Sequence, residues 1–205
     1  MKKERVFMNL PNKITMARIF LSVVLLIMLV IPYQALGVVV PDIPVGSTTV
    51  SIPLTYLIGG VIFLVASLTD SLDGYIARSR NLVTDFGKVM DAIADKVLVN
   101  GVLIALACDG TINTAIPIII CTRDIFVDSI KMVAGSKGKA VGASVLGKLK
   151  TICMMAGLTL VFFYNIPAEL INFDLANGLL YIATILSIIS GIQYYLVNKE
   201  AFKDK

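Results

Sequence analysis

The 205-residue chain contains no histidine and no tryptophan. Without histidine, a general base has to be a carboxylate, lysine, tyrosine or cysteine, and a metal site has to be built from oxygen. Charge is also scarce: 16% of residues are charged and 57% are hydrophobic. That balance excludes an ordinary soluble domain and places the chain among polytopic membrane proteins. The three cysteines, Cys108, Cys121 and Cys153, are scattered without a C-x-x-C spacing. They form neither a disulfide framework nor a zinc site and read as inert core thiols. No basic stripe is interleaved with aromatics, so the net charge of +4 does not point to nucleic acid. Internal repeats and low-complexity tracts are missing as well, and one domain, residues 1–205, is expected.

What is present is a series of long apolar runs. Segments of about 20 residues, enough to cross a bilayer, begin at Ile14–Val30. The next starts near Leu54 and continues past Thr69, and four more follow at Gly87–Cys108, Thr111–Ala134, Val145–Tyr164 and Leu175–Val197. The expected fold is therefore all-α, with six transmembrane helices. Lys2–Leu10 mixes Val6, Phe7, Met8 and Leu10 with Lys2, Lys3 and Arg5, which predicts a short amphipathic helix at the membrane interface. The run after Ile14 lacks a small-residue cleavage site and reads as a first span, not a removed leader. The tract Pro41–Pro53 reads as a turn-rich loop. Three connections, 34–53, 108–113 and 165–174, contain no lysine or arginine. The cations of the connecting segments all fall on the opposite side, in 1–13, 78–88, 135–148 and 198–205. The positive-inside bias makes that side cytoplasmic, so both termini are expected in the cytoplasm of a multi-pass cell-membrane protein, touching anionic membrane lipids.

Four acids interrupt these runs. Asp70, Asp73, Asp91 and Asp95 lie in 70-DSLDGYIARSRNLVTDFGKVMDAIAD-95. Intramembrane carboxylates are costly and mark a functional site by default. The first pair is spaced i,i+3 and the second i,i+4, so each shares one helix face. Both fall toward the cytoplasmic ends of their helices. An all-oxygen cluster suits Mg²⁺, Mn²⁺ or Ca²⁺, and four carboxylates are enough for two divalent cations. The plain structural alternative pairs the acids with Arg78, Arg80 or Lys96, which leaves their common face and the nearby Gly74 and Gly87 unexplained. A missing side chain at those glycines lets a bulky phosphate or nucleoside approach the backbone.

The spacing D-x2-D-G-x2-A-R-x8-G-x3-D-x3-D is complete in Asp70, Asp73, Gly74, Ala77, Arg78, Gly87, Asp91 and Asp95. It resembles the CDP-alcohol phosphatidyltransferases. The resemblance implies a divalent-metal enzyme, active at the cytoplasmic face, that moves a phosphatidyl group from CDP-diacylglycerol to an alcohol and releases CMP. It also implies that Asp70, Asp73 and Asp91 are metal ligands and that Asp95 is a ligand or the general base, leaving Asp91 and Asp95 as the catalytic pair. Asp70, Gly74, Ala77, Arg78 and Gly87 then receive the CDP-diacylglycerol, with Arg78 able to grip phosphate oxygens bidentately. A homodimer is implied too, although small residues such as Gly59 and Gly60 serve helix contacts within one chain equally well.

A second basic cluster bears on the acceptor. Arg123 lies in mid-helix, followed by Lys131, Lys137, Lys139, Lys148 and Lys150. A deep arginine needs an anionic partner or a wet cavity. One reading is helix-packing ion pairs, Arg123 with Asp124 and Lys131 with Asp128; the other is a pocket for an acceptor that carries its own phosphate. The stretches 144-SVLGKLKT-151 and 9-NLPNKITMAR-18 resemble the phosphatidylglycerophosphate synthase branch of the family. This implies glycerol 3-phosphate as acceptor, Arg123, Ser144, Lys148 and Lys150 as contacts to its phosphate, and Asn12, Thr15 and Arg18 at the CDP end. The branch usually has Glu and Arg where this chain has Asp124 and Lys131; the charges persist but lysine lacks the bidentate fork. Inositol phosphate is the rival phosphorylated acceptor within the family. A divalent-cation transporter is the reading from another class, but it requires a midplane site open to both faces.

Overall fold

The computed structural model describes residues 10–44, 51–79, 84–136, 142, 144–166 and 173–199, with the side chains of 10, 71–73, 75–78 and 85 outside that description. The amphipathic segment expected at Lys2–Leu10, the lysines at 137 and 139 and the C-terminal residues from 200 onward lie outside the described residues or side chains.

Six helices follow the apolar runs: α1 (Leu10–Val30), α2 (Leu54–Ser79), α3 (Asp85–Cys108), α4 (Ala115–Ser136), α5 (Val145–Phe162) and α6 (Leu175–Asn198). At 18 to 26 residues each, and with a rise of about 1.5 Å per residue, they are of bilayer-spanning length or close to it. Local chemistry sets their ends. Pro11 sits in the first turn of α1, where a missing N–H costs nothing, so this helix starts a turn earlier than Ile14. Ser144 caps α5 by accepting from the Gly147 N–H at 3.0 Å, and Asp174 caps α6 by accepting from the Asn177 N–H at 3.1 Å. Tyr164 and Asn165 adopt left-handed backbone just after α5, and the buried Asn165 side chain donates to the Phe173 carbonyl and accepts from the Ala176 N–H. One side chain thereby ties the end of α5 to the start of α6.

The tract Pro41–Pro53 departs from the expected loop. It contains a small antiparallel ladder, β1 (Asp42–Pro44) against β2 (Ser51–Pro53), with Ile43 opposite Ile52. Ile52 is buried, which gives this short hairpin an apolar anchor that its proline-rich sequence conceals.

Contacts divide the chain into two compact units, Met1–Ala105 and Leu106–Lys205. In the first, α1 packs on α2, and Leu25, Phe63, Ala66, Leu98, Val102 and Leu103 are buried. Leu26 of α1 crosses α3 at Gly101, where an added Cβ would stand 2.6 Å from the leucine side chain. Gly59 and Gly60 are themselves buried within this unit, so they serve packing inside the chain. In the second unit α6 packs on both α4 and α5. Gly157 allows the close α5–α6 approach: a Cβ there would meet Leu180 at 3.0 Å and the Ala176 carbonyl at 3.2 Å.

The outward faces are apolar too. Phe20, Ile27 and Val30 on α1, and Ile185, Ile189 and Ile192 on α6, are exposed. Helices that are apolar on both their packed and open faces belong in lipid. Three segments, Pro11–Val30, Val145–Phe162 and Leu175–Asn198, are long and apolar enough to cross a membrane among the described residues. The other three helices carry the acids of α2 and α3 and, on α4, Arg123, Asp124, Asp128 and Lys131.

Candidate active site

In the first unit the polar residues of α1 form one buried stripe. Asn12, Thr15, Arg18 and Ser22 are each at most 4% exposed, in a helix that is mostly apolar. Their spacing of three, three and four places them on one helix face. The hydroxyls of Thr15 and Ser22 donate to α1 carbonyls, those of Pro11 and Arg18. Asn12 and Arg18 reach beyond the helix. Asn12 Nδ2 donates to Thr84 Oγ1 at 3.3 Å, and the same threonine oxygen accepts the Gly87 N–H at 3.0 Å, capping α3. Arg18 Nη1 pairs with Asp70 Oδ1 of α2 and, at 3.2 Å, with Asp91 Oδ1 of α3.

This geometry gives Gly87 a definite reason. A Cβ built there lies 2.6 Å from Asn12 Oδ1 and 3.0 Å from Thr84 Oγ1. The absent side chain makes room for Asn12 over the α3 cap, where the sequence suggested room for a ligand. Gly87→Ala is expected to displace Asn12, loosen the α3 start and lower the unfolding temperature in detergent, at a cost of about 1–3 kcal/mol; thermal unfolding of the two proteins checks this.

Of the acids singled out by spacing, Asp70 and Asp91 are brought together on one arginine nitrogen, each side chain about half exposed. Asp95 lies one turn after Asp91 and is exposed. The side chains of Asp73, Ala77 and Arg78 are outside the described set, although all three fall in α2 together with Gly74. Among the described residues no three acidic or thiol side chains gather into a ready metal cluster. The donor chemistry nevertheless fits hard divalent cations: the converging groups are carboxylates from two helices, and the chain offers no imidazole.

The second unit holds the basic cluster around Arg123. Asp124 takes Arg123 Nη1 at 3.0 Å and Lys150 Nζ at 2.9 Å on Oδ1, and the lysine again at 3.0 Å on Oδ2. Lys131 pairs with Asp128 at 3.7 Å. The packing pairs read from the sequence are thus formed, but two cations share Asp124, and the trio keeps an excess positive charge. Lys150 is buried while Lys148 is exposed. The Ser144 hydroxyl is engaged as the α5 cap.

Sequence spacing missed the contribution of α6. Arg123 Nη2 donates to Ser190 Oγ at 2.8 Å, and the guanidinium stands 5.7 Å from the ring centroid of Tyr194. Tyr194 also orders the approach to α5: its hydroxyl donates to the Gly142 carbonyl at 2.7 Å and accepts the Ser144 N–H at 3.0 Å. The legible signal was a polar line along an apolar helix, Thr184, Ser187, Ser190 and Tyr194, all buried. Beside it, α4 and α6 form an apolar groove of about 560 Å³ in which Arg123 is the one charged lining residue.

A membrane-embedded helical protein with paired carboxylates on adjacent helices is the class that these features define. A family model described as CDP-alcohol phosphatidyltransferase matches residues 8–189. The chain is 38% identical over 195 residues to the Bacillus subtilis protein named CDP-diacylglycerol–glycerol-3-phosphate 3-phosphatidyltransferase, covering 95% of this chain and 97% of that one. The protein of the same name from Rickettsia bellii is 34% identical, with the same coverage of both chains. That from Mycoplasma genitalium is 40% identical over 155 residues, 76% of this chain and 65% of the relative. The chain belongs to the CDP-alcohol phosphatidyltransferase family.

Proposed function

We propose that the protein transfers the phosphatidyl group of CDP-diacylglycerol to glycerol 3-phosphate, giving phosphatidylglycerophosphate and CMP. The observation that carries this reading is the full-length similarity to transferases named for that reaction, together with the complete acidic spacing on α2 and α3. The enzyme is a multi-pass protein of the cell membrane, with six spans, both termini and the acidic site on the cytoplasmic side, and it works as a homodimer. One family model runs through both compact units, which supports a single functional domain over 1–205.

In this reading Asp70, Asp73, Asp91 and Asp95 hold two divalent cations, Mg²⁺ or Mn²⁺, which when bound supply Lewis-acid polarisation of the phosphate oxygens. Gly74, Ala77 and Arg78 receive the cytidine diphosphate, with Asn12 and Thr15 at the same end. Asp95 takes the proton from the 1-hydroxyl of glycerol 3-phosphate. The freed oxygen forms a bond to the lipid-side phosphorus, the bond from that phosphorus to the CMP oxygen breaks, and CMP departs with its charge met by Arg78. A carboxylate base suits a chain that has no histidine.

The acceptor phosphate falls to the basic residues of the second unit. The excess charge of Arg123 and Lys150 over Asp124 favours a phosphorylated acceptor over a neutral one. Lys148, exposed on the first turns of α5, has its charge available. Lys148→Ala is expected to raise the KM for glycerol 3-phosphate by about tenfold, the loss of one charge-assisted contact, with little change in KM for CDP-diacylglycerol. Steady-state kinetics with each substrate varied in turn checks this. Supplying labelled glycerol 3-phosphate, inositol phosphate and serine separately to the purified enzyme tests the acceptor: the expected radiolabelled lipid is phosphatidylglycerophosphate, and labelling from inositol phosphate instead would move the chain to another branch.

A further inference from the structure

Arg18 stands out on physical grounds. Its side chain is wholly buried in a helix apolar enough to span a membrane, yet its guanidinium is the meeting point of α1, α2 and α3. A buried arginine is stable only when paired. Asp70 and Asp91 are among its partners, and both meet the same nitrogen, Nη1. The exposure is asymmetric: the arginine side chain is 0% exposed, while the two acids are 44% and 51% exposed. A sealed cation therefore grips two carboxylates that remain open to the outside. The remainder of the stripe holds α1 in register, with Asn12 bonded to the α3 cap at Thr84.

We propose that Arg18 is a built-in counter-cation and positioning residue for the acidic site: it draws Asp70 and Asp91 together and sets the concentration at which divalent cations fill it. The inference rests on the reading of those acids as cation ligands. Two half-buried carboxylates with no nearby positive charge repel each other and swing apart, which would leave the site splayed before any cation arrives. With Arg18 between them the acids are held at one point, at the cost of sharing their charge. An incoming divalent cation competes with the guanidinium for the same oxygens, so the resident positive charge weakens cation binding while it preserves the geometry. This assignment replaces a direct role for Arg18 toward the cytidine nucleotide.

The test is thermal unfolding of the full chain in detergent, titrated with Mn²⁺ alone, for the parent protein, Arg18→Gln and Arg18→Lys. Arg18→Gln is expected to unfold at a lower temperature than the parent without Mn²⁺ and to close most of that gap at saturating Mn²⁺. Its half-saturating Mn²⁺ concentration should fall by about tenfold, because a cationic competitor is gone. Arg18→Lys keeps a charge that reaches one carboxylate at a time, and its half-saturation should fall by about threefold; it carries the test alone if the glutamine variant does not fold. A variant that unfolds earlier by the same margin with and without Mn²⁺, at unchanged half-saturation, makes Arg18 a packing residue and overturns the proposal. A parent protein whose unfolding ignores Mn²⁺ altogether overturns the cation-site reading itself, a result separate from any difference among the variants.

Discussion

Replacing Asp95 with asparagine is expected to lower CMP release from CDP-diacylglycerol and glycerol 3-phosphate by about 10³-fold or more, in a protein that still folds. Two physical effects combine. Proton transfer by a positioned base contributes about 10²- to 10⁴-fold, and asparagine accepts no proton at neutral pH. In the proposed reading, loss of one carboxylate also removes an oxygen donor from the cation site. The fold should survive because the Asp95 side chain is exposed on α3, one turn after Asp91. Circular dichroism and unfolding temperature check the fold; a continuous assay of CMP release checks the rate. Normal turnover in this variant would remove Asp95 from the role of base.

Asp91→Asn should cost activity on the same scale, about 10³-fold, but with a different signature. Asp91 shares Arg18 with Asp70 and is about half exposed. Removing its charge takes one carboxylate from the guanidinium and, in the proposed reading, one ligand from the cation site. The expected result is a raised requirement for divalent cation, so that part of the lost activity returns at high Mn²⁺. The Asp95 variant, if Asp95 is the base, should show little such rescue. Activity measured across a Mn²⁺ series for both variants separates the two roles.

Much of this organisation was legible in the residues. The six apolar runs became six helices whose ends fall within a few residues of those read from the sequence, because hydrophobic length dominates the signal in a membrane chain. The start of α1 lies a turn before Ile14 because the apolar run begins at Ile14 while the helix already begins at Leu10, with Pro11 compatible with a first turn. The β1–β2 ladder was hidden by its shortness and its prolines, with Ile52 the one residue that anchors it. At the site, the carboxylates announced themselves because charge is rare here, and spacing assigned them to helix faces. Their partner did not: Arg18 lies 52 residues from Asp70 in sequence, and no local periodicity links the two. Ser190 and Tyr194 escaped for a related reason, since neutral polar groups on an apolar helix carry little signal until Arg123 is found against them. Arg18 was itself singled out for the CDP end through the family resemblance; its pairing with the acids was not legible.

The central claim is that the carboxylates of α2 and α3 support divalent-cation-dependent phosphatidyl transfer. The most direct measurement is mass-spectrometric identification of the lipid made by the purified protein from CDP-diacylglycerol and glycerol 3-phosphate, with Mg²⁺ and again after chelation. The account predicts phosphatidylglycerophosphate and an equal amount of CMP in the first case and neither in the second. Undiminished synthesis of that lipid under chelation, or a different lipid from these two substrates, would contradict it.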